Sequence, residues 1–381
     1  MRCQVQRQFE VTKMMREATP INPALTRPAE SGESRSNGHG THYAHNATIH
    51  GGGTVPRLSI GLPVYNGGEL LRLAVDSILA QTFSDFELIL CDNASTDQTE
   101  EICREYARRD PRVRYHRNAR NMGAAKNFNL TFELSRAPYF KWMAHDDVVM
   151  PTMVERCVEA LDKNPQAVLC TVRRRYMKYD GTPRLEDPVE QYHNPTVAQL
   201  LRVDGSRFPA YMMGVMRREA LLKTRLMATY VASEVVFVLE MRLQGELWQV
   251  PEELHYQRLP DEENKHRVVR KSHRGEAIFL DPLNAARKFL MPPGIKLLVE
   301  MFRGVWRAPI SAGRKARAYR EVVEHVLEKF RRVVHPKALS RYVKQNLHWA
   351  TETLTESDRE HAQGHLVHAS KRTHGREEAR T

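Results

Sequence analysis

The stretch YFKWMAHDDVVMP, residues 139–151, decides the fold. Its first five residues are apolar or aromatic apart from one lysine, which predicts a buried strand, and Pro151 suits the first position of a helix. Two adjacent carboxylates, Asp146 and Asp147, fall between strand and helix. Ligands of open α/β sheets bind beyond the carboxyl ends of the strands, where carboxylates can hold a divalent cation beside a phosphate-bearing substrate. The alternative is that both acids only cap the helix.

Strand and helix patterns alternate on both sides of this stretch. Apolar runs predict strands, and apolar residues at helical spacing predict helices between them. The predicted strands cover 58–62, 86–91, 112–116, 138–143 and 167–172, and the predicted helices cover 69–81, 96–109, 123–135 and 151–163. This alternation predicts an α/β fold with a mostly parallel sheet flanked by helices on both faces.

Polar segments directly follow three of these strands. They are Pro63-Val64-Tyr65-Asn66, Asp92-Asn93 and Asp146-Asp147. In a parallel sheet these loops share one edge, where backbone amides and helix N-termini favour anions. Asp92 can accept hydrogen bonds from a base or ribose, and Asn93 can also donate them. We therefore expect a nucleotide site, with Ser95 and Thr96 as caps of the following helix.

Five sequence motifs occur in the order and spacing of a known family. They are LPVYN (62–66), SILAQT (77–82), DNASTD (92–97), RNMGAAKN (120–127) and HDD (145–147). Through these motifs, residues 57 to about 172 resemble the nucleotide-diphospho-sugar domain of family 2 glycosyltransferases. The resemblance implies a GT-A, Rossmann-like fold and the transfer of a sugar from a nucleotide diphosphate to an acceptor hydroxyl.

The same resemblance implies roles for individual residues. The base and ribose are expected to contact Pro63, Val64, Tyr65, Asn66, Asp92 and Asn93. The wall near the ribose and diphosphate is expected to include Asn121, Gly123 and Lys126, with His145 and Asp146 on the ribose or sugar side. Asp147, with Asp146 beside it, is expected to coordinate Mn²⁺ or Mg²⁺, since carboxylate and phosphate oxygens suit hard cations.

Three positions depart from the family pattern. Asn93 stands where a second Asp is usual, and Lys126 stands where the family often has Arg. Ala144 replaces an earlier Asp that many relatives carry in a DxDD motif. A cation bound largely by substrate phosphates needs only one or two protein carboxylates, so the prediction of a metal stands.

Residues 173–275 are expected to form the acceptor half. In the family, a general base lies near the start of an apolar helix in a pattern like S-D, and Ser233-Glu234 precedes such a helix over 232–244. The resemblance therefore indicates Glu234 as the base, and the alternative is an acid that only complements the helix dipole. Arg258 is a candidate for contact with the diphosphate, and the alternative is a structural ion pair. Arg173 is a candidate for contact with the diphosphate or an anionic acceptor, and the alternative is a solvated edge of the domain.

The family resemblance also frames the reaction. Transfer of a single sugar is expected, because the QxxRW signature of processive synthases is absent. Inversion is expected because the acceptor oxygen would attack the anomeric carbon on the face opposite the departing diphosphate. The donor is expected to be a UDP- or dTDP-sugar, and the acceptor a saccharide or a lipid-linked molecule in cell-surface polysaccharide or glycoconjugate biosynthesis. The rival functions are a catalytically silent relative, a nucleotidyltransferase and a nucleic-acid-binding protein.

The flanks of the chain differ from its middle. Residues 1–54 read as a disordered leader, 276–360 as a helical basic extension, and 361–381 as a disordered tail. Residues 301–381 hold 17 Lys and Arg against 9 Asp and Glu, so much of the net charge of +12 belongs to the tail. We expect no nucleic acid as partner. The basic amphipathic helix over 314–334 can lie on an anionic membrane or pack on the catalytic domain.

Composition also indicates the compartment. The five cysteines are scattered and form no CxxC pair, which favours reduced thiols and no zinc site. No apolar run reaches the roughly 18 residues of a membrane span, and no apolar signal-peptide core is present near the N-terminus. We expect a cytoplasmic protein, in peripheral contact with the inner face of the membrane if the basic helix binds lipid.

Overall fold

The computed structural model of the chain describes residues 55–184, 193–202, 211–258, 279–282 and 293–333. The expected leader and tail, and residues 334–360 of the expected extension, lie outside the described residues. The described strands are β1 Leu58–Val64, β2 Phe86–Asp92, β3 Val113–Arg117, β4 Tyr139–Trp142, β5 Val148–Val149, β6 Ala167–Met177, β7 Pro183–Arg184, β8 Val215–Arg217 and β9 Glu246–Arg258. The described helices are α1 Gly68–Leu79, α2 Thr99–Arg109, α3 Ala124–Glu133, α4 Met153–Lys163, α5 Val197–Arg202, α6 Arg218–Leu221, α7 Ser233–Gln244, α8 Pro293–Arg307 and α9 Ala312–Val333.

These strands form one sheet in the order β3-β2-β1-β4-β8-β6-β9-β5, with β7 paired to β6. The first four are parallel neighbours. In the second half, β8 runs antiparallel to both β4 and β6, β9 is parallel to β6, and β5 is antiparallel to β9. The predicted α/β class is confirmed, and the antiparallel pairings make the sheet mixed.

Helices cover the sheet on both faces. One apolar cluster takes the buried sides of α1, α2 and α4, and a second takes those of α3, α5, α7, α8 and α9. All seven residues of β1 and all seven of β2 are buried. Strands covered on both faces read as continuous apolar runs, which explains why the sequence located them well.

Tertiary pairing changed two boundaries. Val148 and Val149 pair with Tyr256 and His255 of β9, so the chain remains extended after the acidic pair. Helix α4 consequently begins at Met153, two residues after the proline that was expected to open it. β9 is the longest of the described strands and continues to Arg258, because it pairs with β6 along its whole length.

The C-terminal helices pack on the acceptor half. The Glu300 carboxylate of α8 is buried and accepts hydrogen bonds from Lys296, Arg303 and Arg225. Arg307 of α8 donates to buried Glu240 of α7 over 2.9 Å. Ion pairs with several partners in a buried setting fix two helices in register. The expected basic helix forms as α9, and its buried side packs on the domain.

Lys141 is a fully buried cation in the centre of β4. Its Nζ donates a hydrogen bond to the carbonyl oxygen of Met213. Burial lowers the pKa of Lys141 to about 8. Ionised lysine is therefore less stable in the folded chain than in the unfolded chain at neutral pH.

We expect Lys141→Met to stabilise the protein at pH 7, with a gain that shrinks as the pH rises toward 10. The folded pKa lies below the unfolded one, so between about pH 8 and 10.5 the unfolded chain binds more protons and wild-type stability rises with pH. Below that window the cost of the buried charge is on the order of 3 kcal/mol, less the lost hydrogen bond to Met213. Urea unfolding of both proteins at pH 7 and pH 10 measures the difference between their free energies of unfolding. A difference between the two proteins that does not change with pH would contradict the burial of a charge.

Candidate active site

The loops after β1 and β2 are bound to each other at the carboxyl edge of the sheet. The backbone N–H of Asn66 donates to Ser95 Oγ, and the backbone N–H of Thr96 donates to the side-chain Oδ1 of Asn66, each over 2.9 Å. The Gly67 N–H donates to Thr99 Oγ1 over 2.9 Å. Ser95 and Thr96 therefore hold the neighbouring loop, and the expectation that they cap the following helix was wrong, because α2 begins only at Thr99.

Asp92 is fully buried at the end of β2. Its carboxylate accepts hydrogen bonds from the Ser95 N–H, the Tyr115 hydroxyl and Arg117. Three protein donors thus occupy three of the roughly four acceptor sites of this carboxylate. Asp92 therefore holds the strand-end loop, and its direct contact with a base or ribose stays a prediction.

Asn93 lies next to Asp92 in a group of four asparagine side chains. Its Nδ2 donates to Asn121 Oδ1 over 2.7 Å, and its Oδ1 accepts from Asn118 Nδ2 over 3.0 Å and from the Met122 N–H over 2.9 Å. Asn127 accepts from Asn118 and donates to the carbonyl of Cys91. The structure thus brings the expected Asn93 and Asn121 together. Asn118 was not among the predicted site residues, and only its place just before the RNMGAAKN motif distinguishes it in the sequence.

The N-terminus of α3 is covered by a distant segment, residues 279–282. Gly123 has φ +87°, and a Cβ atom there would lie 2.5 Å from the carbonyl oxygen of Leu280. Lys126 Nζ lies 3.5 Å from Asp281 Oδ1, and the Asp281 side chain is buried. Asn121, Gly123 and Lys126 therefore lie together at the start of α3, and Lys126 already has a carboxylate partner. No sequence signal indicated Asp281, because it lies 155 residues further along the chain.

The two acids after β4 have different surroundings. Asp147 is buried, its Oδ2 lies 3.0 Å from His255 Nε2, and its Oδ1 accepts the Arg258 N–H over 2.9 Å. Both oxygens of Asp147 thus tie the acidic loop to β9. Asp146 is partly exposed, and no side chain among the described residues donates a hydrogen bond to its carboxylate. Burial raises the pKa of Asp146, with His145 opposing it.

A cation therefore fits the Asp146 carboxylate better than the Asp147 carboxylate, whereas Asp147 was expected to be the main metal ligand. A ligand oxygen must be free to face the cation, and the Asp147 oxygens are occupied by His255 and Arg258. The described residues contain no group of three or more His, Cys, Asp or Glu side chains that could hold a metal ion. The donor set fits only a hard cation that takes one carboxylate from the protein and most of its ligands from phosphate and water.

His145 joins the acidic loop to the loop after β1. A Cβ atom on Gly67 would lie 3.2 Å from His145 Cδ2, so the two loops are in contact. Tyr65 and His145 are both partly exposed, and Pro63 and Val64 are buried beneath them. The structure therefore brings the HDD motif and the PVYN motif to one place, as the sequence predicted.

Arg258 contacts the acidic loop directly. Its Nε donates to the carbonyl oxygen of Asp146 over 2.9 Å, and its Nη1 donates to the carbonyls of Lys178 and Tyr179. Its Nη2 is buried and has no hydrogen-bond partner among the described residues. The guanidinium thus retains one unsatisfied donor beside Asp146. Arg173 is exposed on β6, opposite Glu253 of β9 in the sheet register, and no described contact joins it to the acidic loop.

Glu234 is partly exposed in the first turn of α7. The helix is preceded by Ala232 in a left-handed conformation, φ 62°, and Ser233 Oγ donates to the carbonyl of Ala228 over 2.8 Å. One turn on, Phe237 packs edge-on against Trp142 of β4, with ring centroids 5.4 Å apart. The helix that carries Glu234 is thereby packed directly on the strand that leads to Asp146.

This arrangement defines a class of protein. A mixed α/β sheet with polar loops after β1, β2 and β4, and an acidic pair at the last of them, is similar to the fold of GT-A glycosyltransferases. Residues 59–225 match the family model described as Glycosyl transferase family 2. This segment is less than half of the chain, and over it the chain is similar to that family.

Several proteins of known sequence are also similar to part of this chain. The chain is 35% identical over 108 residues to an uncharacterized glycosyltransferase of Rickettsia typhi, covering 28% of this chain and 33% of the relative. It is 32% identical over 124 residues to glycosyltransferase GlyG of Streptococcus pneumoniae, covering 32% and 41%. It is 36% identical over 127 residues to chondroitin synthase of Escherichia coli, covering 33% and 18%. The matched part is thus less than half the length of each of these relatives.

A solved structure supports the fold. The structure of Staphylococcus aureus TarS 1-349 in complex with UDP-GlcNAc superposes with a TM-score of 0.53 at 14% identity, covering 76% of this chain and 81% of that one. Among the residues described here, no helix is both long and apolar enough to cross a membrane.

Proposed function

We propose that the chain is a metal-dependent, inverting glycosyltransferase that moves one sugar from a UDP- or dTDP-sugar to an acceptor hydroxyl. The observation that carries this proposal is a pair of unsatisfied groups of opposite charge at the strand edge. The Asp146 carboxylate has no side-chain donor among the described residues, and Arg258 Nη2, beside it, has no acceptor there. A diphosphate with a bound divalent cation would satisfy both groups at once.

Different residues among those described would then bind the nucleoside and the cation. Tyr65, Asn93 and Asn121 form the wall that receives the nucleoside, and Asp92 and Asn66 hold that wall in shape through the bonds between the strand-end loops. Asp146 would hold Mn²⁺ or Mg²⁺, which when bound neutralises charge on the diphosphate. Asp147 keeps Asp146 in position through His255 and Arg258.

Glu234 is proposed as the general base. Its carboxylate would take the proton of the acceptor hydroxyl as that oxygen forms a bond to the anomeric carbon. The bond from the anomeric carbon to the diphosphate oxygen breaks on the opposite face, so the configuration inverts. The electron pair stays on the diphosphate, where Arg258 Nη2 can donate to the developing negative charge.

The acceptor remains a proposal by family resemblance: a saccharide or a lipid-linked molecule in the synthesis of cell-surface polysaccharide or glycoconjugate, with the enzyme in the cytoplasm. The second candidate is a silent relative that binds nucleotide sugars without turning them over. The absent earlier acid at Ala144 favours it. Release of nucleoside diphosphate from any donor, by transfer or hydrolysis, separates the enzyme from the silent relative.

A thermal-shift screen of nucleotide sugars with Mn²⁺ tests the binding site. We expect a UDP- or dTDP-sugar to raise Tm by about 5 °C or more at 100 times its Kd, since a ligand that binds only the folded state stabilises it by about 2.7 kcal/mol there. The matched nucleoside without phosphates serves as the control and should produce a much smaller shift. If no nucleotide sugar shifts Tm with manganese present, the proposed function is wrong.

A further inference from the structure

Helices α8 and α9 carry exposed apolar side chains next to the side that packs on the core, with Phe302 and Tyr319 partly buried against the core cluster. On α8, Ile295, Phe302 and Trp306 lie along one stripe at helical spacing. The other side of α8 is buried through Met301 and Val305. Because the buried side already satisfies the packing of this helix, the outward stripe needs another explanation.

The outward stripe continues on α9. Tyr319, Val323 and Leu327 follow at intervals of four residues, while Ala318 and Val322 are buried on the other side. The rings of Phe302 and Tyr319 stack with centroids 5.8 Å apart and an interplanar angle of 19°. This contact joins the stripes of both helices into one surface, called here the outer face: Ile295, Phe302, Trp306, Tyr319, Val323 and Leu327.

Exposed apolar side chains are concentrated on the outer face. Trp306 is 72% exposed, Ile295 and Leu327 are 50% exposed, and Val323 is 41% exposed. Elsewhere in the described residues, only Val55 and Leu222 are large apolar side chains with comparable exposure. Single exposed apolar residues are ordinary, but a joined group of them marks a surface that binds something.

The charges around the outer face are mostly positive. Lys315 Nζ lies 5.6 Å from the centroid of the Trp306 ring and donates to the Trp306 carbonyl over 2.6 Å. Arg303, Arg317 and Arg320 are exposed on the same two helices, and Glu324 is the exposed acid beside Val323. An exposed tryptophan with cations beside it suits the boundary between lipid headgroups and acyl chains, where the ring is buried and the cations meet phosphates.

We propose that the outer face of α8 and α9 binds the surface of an anionic lipid membrane, with Trp306 and Ile295 inserted and Arg317 and Arg320 on the headgroups. The helices would lie in the plane of the interface, in keeping with the lack of a membrane-spanning helix among the described residues. Membrane binding by this face goes beyond sugar transfer and is measured without any nucleotide sugar, so either proposal can fail alone.

The test is flotation of the full chain with phosphatidylcholine vesicles, with and without phosphatidylglycerol. We expect binding to the anionic vesicles that weakens with added salt, and little binding to the neutral ones. Ile295→Ser with Trp306→Ser should weaken binding about tenfold or more, because two inserted apolar side chains are lost. Arg317→Gln with Arg320→Gln should weaken binding several-fold at low salt.

Leu222→Ser is the matched control, since Leu222 is 65% exposed but follows α6 and is not part of the outer face. It should bind vesicles like the wild type, and all variants should keep the wild-type Tm because the replaced side chains are exposed. Absence of wild-type binding to anionic vesicles, or equal binding by the Ile295/Trp306 variant, overturns the proposal. A dimer that this variant dissociates, without vesicle binding, would assign the face to a second copy and also overturn it.

Discussion

Glu234→Gln is expected to lower kcat for sugar transfer by about 10² to 10⁴ while leaving Tm and the KM for the donor close to wild type. Glutamine keeps the size of the side chain but cannot take a proton from the acceptor hydroxyl. The helix start should survive, because Ser233 and the contact between Phe237 and Trp142 also hold α7 in place. Initial rates with saturating donor, together with a thermal melt, measure both effects.

Glu240→Gln is the control on the same helix. Glu240 is buried two turns further along and accepts from Arg307 and from the Arg225 N–H. Its replacement removes a buried charge-assisted hydrogen bond and should cost about 1.5–3 kcal/mol of stability, with kcat little changed below the melting temperature. Wild-type kcat in Glu234→Gln would exclude Glu234 as the base, whatever its effect on stability.

Asp146→Asn is expected to abolish most transfer and to remove the effect of Mn²⁺ on donor binding, with little loss of stability. Among the described residues no side chain donates a hydrogen bond to its carboxylate, so an amide of the same shape breaks no side-chain hydrogen bond there. An amide is a much weaker ligand than a carboxylate for a hard divalent cation. Titration of the nucleotide sugar with and without Mn²⁺ gives the binding, and initial rates give the transfer.

Asp147→Asn should behave differently. The two oxygens of Asp147 bond to His255 Nε2 and to the Arg258 N–H. The substitution puts an NH₂ group in place of one oxygen, so one of these hydrogen bonds is lost and stability should fall by about 1–3 kcal/mol. Part of the activity should persist below the lowered Tm. The opposite pattern, with Asp147→Asn inactive but stable and Asp146→Asn active, would return the cation to Asp147 as the sequence analysis expected.

The sequence could not distinguish the roles of Asp146 and Asp147. Both are aspartates in one motif, so composition and spacing gave no reason to separate them. Asp146 lies in a turn and Asp147 directly precedes β5, and the pairing of β5 with β9 places Asp147 against His255 and Arg258. That pairing spans more than a hundred residues, so the local pattern around HDD could not contain it.

Local periodicity determined most of the first half of the fold. β1, β2 and β4 are short, apolar and buried, and the helices between them carry apolar residues on one side. Such patterns depend only on neighbouring residues, and parallel strands necessarily bring their carboxyl ends to one edge. The sequence therefore predicted that the PVYN, DNASTD and HDD segments would meet.

Contacts between distant segments were decided by the tertiary structure alone. Asp92 was predicted to meet a nucleotide, but Tyr115 and Arg117 of the adjacent strand occupy its carboxylate. Lys126 was predicted to face a diphosphate, but Asp281 lies beside it. A residue type and its place after a strand indicate which chemistry is available, whereas burial and hydrogen-bond partners from other segments decide which of those groups remain free to use it.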